Sequence, residues 1–176
     1  YTKDYVTWGT FEEAKPGVDL YLNIMRAGVT KNGKFDGEID EDKLYYVLVP
    51  EKTRDSRLFC PTDNSRVVLR SVITADEAAA LMEEVKEIEP LQVESERMRD
   101  DSYKKAMKSC DLRQCVKVIK ALLIRKEERE SHGKKVTVTD ERYMKLAEEG
   151  LYSELSLVMG KDREEIKEKF LDYCKQ

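Results

Sequence analysis

Val67-Val68-Leu69-Arg70-Ser71-Val72-Ile73-Thr74-Ala75-Asp76-Glu77-Ala78 is where the chain changes its grammar. Aliphatic, strand-prone residues run as far as Ile73. Thr74 is then followed three residues later by Glu77, the reciprocal capping pair that opens a helix. Everything upstream reads in short strands and everything downstream in amphipathic helices. The expected architecture is therefore α+β, with a β-rich part over 1–73 and a helical part over 74–176.

Upstream, Tyr5-Val6-Thr7-Trp8 is a β-prone run closed by Gly9. Leu44-Tyr45-Tyr46-Val47-Leu48-Val49 is stopped by Pro50, and Arg57-Leu58-Phe59-Cys60 by Pro61. Short runs bounded by Pro, Gly, Asp and Asn describe a small antiparallel sheet or barrel. The polar Thr53-Arg54-Asp55-Ser56 suits a hairpin connection. Residues 11–43 mix their periodicities and receive no assignment.

Downstream, Ala78–Ile88 reads as a first helix that Pro90 bars from continuing. Ser95–Ser109 reads as a second. Asp111 opens a third, whose Leu112, Cys115, Val116, Ile119, Leu122 and Leu123 form one stripe at helical spacing, with Gly133 as its stop. Thr139 is expected to start a fourth helix, with Met144, Ala147, Leu151, Leu155 and Val158 on one face and Gly160 closing it. Asp162-x-x-Glu165 opens a fifth, with Ile166, Phe170 and Tyr173 inward. The sum is a compact five-helix domain.

Apolar residues make up 40% and charged residues 39% of the 176, which suits helices that bury one face each better than one large spherical core. No run approaches the ~20 apolar residues of a membrane span, and the first residues do not read as an export leader. Four cysteines without Cys-x-x-Cys spacing point to reduced thiols in a cytoplasmic protein. Cys110 and Cys115 are not spaced to close a metal site with His132, the single histidine, so no metal and no cofactor are expected. His132 beside Gly133 suits a helix end. There is no Gly-rich phosphate loop, His-Glu-x-x-His or Gly-x-Ser-x-Gly, and no small-molecule substrate is expected. Trp8 reads as a core or edge aromatic of its strand.

The net charge of −4 conceals a division. Residues 76–96 carry a net −7 and residues 97–135 a net +7. In the basic block, Arg97, Lys104, Lys105 and Lys108 share one side of the second helix. Arg113, Lys117 and Lys120 recur at i, i+4 and i+7 along the third, opposite much of its apolar stripe. Such rows can neutralise phosphates, although Asp100 and Asp101 interrupt the first of them.

The combination of motifs resembles the CarD/CdnL family of bacterial transcription regulators, whose front domain is similar to the polymerase-interacting module of transcription–repair coupling factors. The matching segments are Asp4–Gly9, Leu44–Leu48, Phe59–Asn64, Arg70–Thr74, Asp140–Lys145 and Ser153–Gly160. The resemblance implies a Tudor- or SH3-like β-domain that docks on the β subunit of RNA polymerase. It also implies a helical domain that touches promoter DNA near the upstream edge of the bubble and shifts open-complex stability. On that reading Leu58, Phe59 and Cys60 lie at the polymerase contact, with Arg54, Arg57 and Arg66 as polar candidates. Family members wedge the minor groove with a tryptophan just before the Tyr-Lys of the second helix. Here that stretch is Met98-Arg99-Asp100-Asp101-Ser102-Tyr103-Lys104, which leaves Met98 and Arg99 to act in its place. The rival reading is a protein-interaction adaptor without DNA contact; a small enzyme is a more distant one.

Overall fold

The computed structural model describes residues 5–9, 22–31, 44–50, 58–61 and 68–175, and in the first four strands the side chains of Tyr46, Leu48 and Cys60. The chain divides into two compact units, 1–72 and 73–176.

Among its described residues the first unit holds five strands: β1 (Tyr5–Gly9), β2 (Leu22–Lys31), β3 (Leu44–Pro50), β4 (Leu58–Pro61) and β5 (Val68–Ser71). They form one sheet in the order β4-β3-β2-β1-β5, with every neighbouring pair antiparallel. Four of the strands fall where the β-prone runs place them. The longest, β2, lies in the segment left unassigned. Its sequence, LNIMRAGVTK, alternates poorly and contains Gly28, which weakens its own β propensity. It is a strand because it is paired along both sides: Trp8 faces Asn23 across one ladder, and Val47 faces Gly28 across the other. Neighbours override local preference here. Leu48 and Cys60 are buried, and β4 stands at one edge of the sheet.

The second unit holds five helices: α1 (Ala75–Glu84), α2 (Arg99–Lys108), α3 (Leu112–Ser131), α4 (Val138–Met159) and α5 (Arg163–Cys174). A 3₁₀ turn over Glu96–Met98 leads directly into α2. The capping pair at Thr74 is complete. Glu77 N donates to Thr74 Oγ1 at 3.2 Å, and Thr74 N donates to Glu77 Oε2 at 2.8 Å, hydrogen bonds that hold the Glu77 carboxyl below its usual range. Asp111 and Asp162 cap α3 and α5 by accepting from the amides of Arg113 and Glu164.

Two helix boundaries differ from the sequence expectation. α1 begins and ends earlier than Ala78–Ile88, because Thr74 caps it directly and the chain tightens at its end. The amides of Glu87 and Ile88 both donate to Glu84 O, a turn that stops the helix before Pro90 is reached. α4 is capped by Thr137 rather than Thr139: Thr137 Oγ1 accepts from Asp140 N at 3.1 Å, which puts Thr139 inside the first turn. α3 and α4 are followed by Gly133 and Gly160 at φ of 68° and 62°, a left-handed turn that costs glycine little. The α2–α3 corner reaches the same region with Cys110, at φ 54°.

α4 is the axle of this unit, packing against α1, α2, α3 and α5. That explains why its buried arc is wider than a single stripe. Tyr143, Ala147, Leu151, Tyr152 and Leu155 are buried, together with Glu154, while Met144 and Val158 are only half-buried. Glu154 accepts from Ile73 N at 3.0 Å and so fastens the entry of the unit to its central helix. Two aromatic pairs fill the core. Tyr103 and Tyr143 have ring centroids 5.3 Å apart, and Tyr152 and Phe170 meet edge-on at 5.6 Å. Burial raises the Tyr103 and Tyr143 phenols above their ordinary value, and the Tyr152 phenol well above it.

Candidate nucleic-acid interface

The face of α2 is set by what it buries. Tyr103, Ala106 and Met107 point inward at i, i+3 and i+4, which turns Lys104 and Lys105 to solvent. Arg97, in the 3₁₀ turn, is exposed, and Met98 is 46% exposed. Lys108 is half-buried. The result is three exposed cations and an exposed methionine, with Arg97 and Met98 in the turn that enters α2 and Lys104 and Lys105 two helical turns further along it.

Several carboxylates in and around this group are answered by intramolecular cations. Arg99 donates to Glu96 through Nη2 at 2.7 Å and Nε at 3.1 Å, and through Nη1 to the Tyr103 hydroxyl at 3.1 Å. Arg125, from α3, donates to both oxygens of Glu96 and through Nε to Asp140 Oδ2 at 2.9 Å. The hydrogen bond from Arg99 is the main reason that the Glu96 carboxyl lies below its usual range, with Arg125 adding to it. Asp100 is paired with Arg142 at 3.0 Å, and the Arg142 guanidinium lies 4.8 Å from the Tyr143 ring centroid. Asp101 is exposed on the same stretch. Arg99, expected among the DNA contacts, is therefore committed to the fold, with a side chain only 20% exposed.

The basic row of α3 has a different fate. It lies opposite much of the apolar stripe, as its spacing implies, but two of its cations meet the last residue of α1 and the segment that leaves it. Arg113 donates to Glu84 through Nη2 at 2.6 Å and Nε at 3.2 Å. Lys120 Nζ donates to Ile88 O at 2.7 Å and Lys86 O at 3.4 Å, so it holds the carbonyls just beyond the end of α1. Lys117 is half-buried, and its carbonyl accepts from Leu91 N at 3.0 Å. The acidic 76–96 segment thus finds part of its counter-charge inside the molecule. Helical spacing says which residues share a face, but not what covers it.

In the first unit, Leu58, Phe59 and Cys60 all lie on the edge strand β4. Cys60 is buried with 1% exposure, so its side chain belongs to the core. Arg54, Arg57 and Arg66 lie outside the described residues, as does the Thr53–Ser56 turn.

Cys60, Cys110 and Cys115 are buried and Cys174 is half-buried, and burial raises the Cys174 pKa. No group of His, Cys, Asp or Glu among the described residues is arranged to hold a metal ion. His132 is the C-cap of α3, with Nδ1 2.6 Å from Glu128 O. No helix among the described residues is long and apolar enough to cross a membrane.

The family model for the CarD C-terminal domain matches residues 77–171, more than half of the chain, and the chain belongs to the CarD family. This is a family of non-enzymatic, transcription-related proteins. No curated protein matches the chain.

Proposed function

We propose that this protein modulates transcription initiation, its β-unit docking on the β subunit of RNA polymerase and its helical unit touching promoter DNA near the upstream edge of the bubble. The single observation that carries the DNA half is the exposed group Arg97, Met98, Lys104 and Lys105. Its cations are free to meet phosphates, while Glu96 and Asp100 beside it are already paired with arginines. Phosphate contacts of this kind give affinity without base preference. Met98 is the apolar side chain placed to enter a minor groove in the absence of tryptophan. Lys108 is a flanking contact in this reading. For the polymerase half, β4 offers an edge whose backbone groups suit strand pairing, with Leu58 and Phe59 on it and Arg54, Arg57 and Arg66 as polar contacts.

The adaptor reading draws on one observation. Arg99, Arg113 and Lys120 are engaged within the molecule, which shrinks the basic surface the charge pattern promised. Titrating the full-length protein into a fluorescent promoter duplex at several salt concentrations separates the two. A negative slope of log K against log salt that shrinks in Lys104→Ala/Lys105→Ala supports DNA contact, and no measurable binding leaves the adaptor.

A further inference from the structure

Among the described residues, four of the five helices begin on a capping side chain: Thr74, Asp111, Thr137 and Asp162. α2 does not. Met98, at its start, offers no side-chain cap, and neither does Ser95 at the head of the 3₁₀ turn. The segment that carries Arg97 and Met98 therefore lacks the local device that fixes the entry angle of the other helices.

What fixes it instead comes from elsewhere in the unit. Glu96 accepts from Arg99, four residues short of the buried Tyr103, and from Arg125, 29 residues away on α3. Arg125 is 14% exposed in its side chain and is itself anchored on Asp140, whose side chain is 3% exposed. Asp140 is held in turn by α4, with its amide on Thr137 Oγ1. A chain of charge-assisted hydrogen bonds thus runs from the buried Asp140 in the first turn of α4, through α3, to the uncapped entry of α2. A guanidinium is suited to this position because its planar fork serves two carboxylates in fixed directions.

We propose that Arg125 is a positioning residue: by gripping Asp140 and Glu96 together, it fixes the turn that presents Arg97 and Met98 to DNA. This rests on the DNA-contact reading above. Arg125 is too enclosed to serve as an open phosphate contact, so its effect on binding runs through Glu96.

Glu96→Gln is the informative substitution, because Glu96 is exposed at its rim and the variant leaves the Arg125–Asp140 pair intact. A carboxylate that merely sits near a polyanion weakens binding by repulsion, and its removal tightens binding. A carboxylate that positions the turn gives the opposite sign. The expected result is a two- to fivefold loss of affinity for a promoter duplex, on the order of one partly exposed ion pair. Amide exchange over 95–101 in the free full-length protein is expected to quicken by a similar factor, with α1 unaffected. Arg125→Lys, which keeps the charge but not the fork, is expected to bind between wild type and Glu96→Gln. Unchanged exchange over 95–101, or tighter DNA binding by Glu96→Gln, overturns the proposal. Faster exchange in a protein that never bound DNA with a salt-dependent affinity overturns it too, but through the DNA reading, leaving the brace as a fact of the fold alone.

Discussion

The basic rows of α2 and α3 look alike as sequence and behave differently as structure. Both are lysines and arginines at helical spacing, and both lie in the block of net +7. On α2 the buried Tyr103, Ala106 and Met107 turn Lys104 and Lys105 outward. On α3 the residues buried around the row extend to Val118, and the last residue of α1 and its exit segment reach the row, so Arg113 and Lys120 meet Glu84 and two backbone carbonyls. A cation at the surface of a helix is not yet a cation at the surface of a protein. What decides is whether a neighbouring element brings acceptors to it.

The largest effect expected from that contrast is on DNA binding. Replacing Arg97, Lys104 and Lys105 together with alanine should lower the magnitude of the salt slope by about 2.7, at −0.9 per neutralised phosphate, with little change in Tm. If the slope instead responds to Arg113 and Lys117, the contrast is reversed. Lys120→Met should act on stability alone. Losing a charged donor from two carbonyls at the exit of α1 should cost about 1 kcal/mol, which lowers Tm by roughly 4–8 °C, while the salt slope stays put. Arg113→Gln should do less still, about 0.5 kcal/mol or below, since both it and Glu84 are substantially exposed. Denaturant titration of these two variants ranks them.

The smallest effect is on pH. The Glu96 pKa is depressed in the folded protein, so its contribution is fully present above its unfolded pKa and is lost as pH falls through the lower folded value. Amide exchange over 95–101, corrected for intrinsic pH dependence, should quicken relative to α3 only at the acid end, below the usual carboxylate range. An unaltered ratio through that window would show that the brace does not depend on the Glu96 charge.

Much of the helical unit was legible because its signals are local. Thr74 with Glu77, Asp111, Asp162, Gly133 and Gly160 each mark a boundary within a few residues of chain. Val136-Thr137-Val138-Thr139-Asp140 offers two candidate caps two residues apart, and only the hydrogen bond to Asp140 N selects Thr137. β2 escaped because two neighbouring strands, not its own composition, make it a strand. Arg125 escaped although a signal was present. Val118, Leu122 and Arg125 fall at i, i+4 and i+7, so a cation continues a buried line of α3, and a cation there needs a carboxylate partner. Which carboxylates answer it, Glu96 and Asp140, depends on tertiary packing that spacing alone does not encode.

The hydrogen bond from Ile73 N to Glu154 bears on how the chain is to be cut for study. Glu154 is 0% exposed and sits in the C-terminal third of α4, 81 residues from the amide that donates to it. A polypeptide that begins at Thr74, where the first helix visibly starts, removes that amide from a buried carboxylate and puts a charged terminus on the capping residue itself. One that begins at 71 or 72 keeps the Ile73 amide as a peptide group and leaves Thr74 free to cap. Two residues that belong to no helix should thus decide whether the isolated helical unit is a sound reagent or a destabilised one.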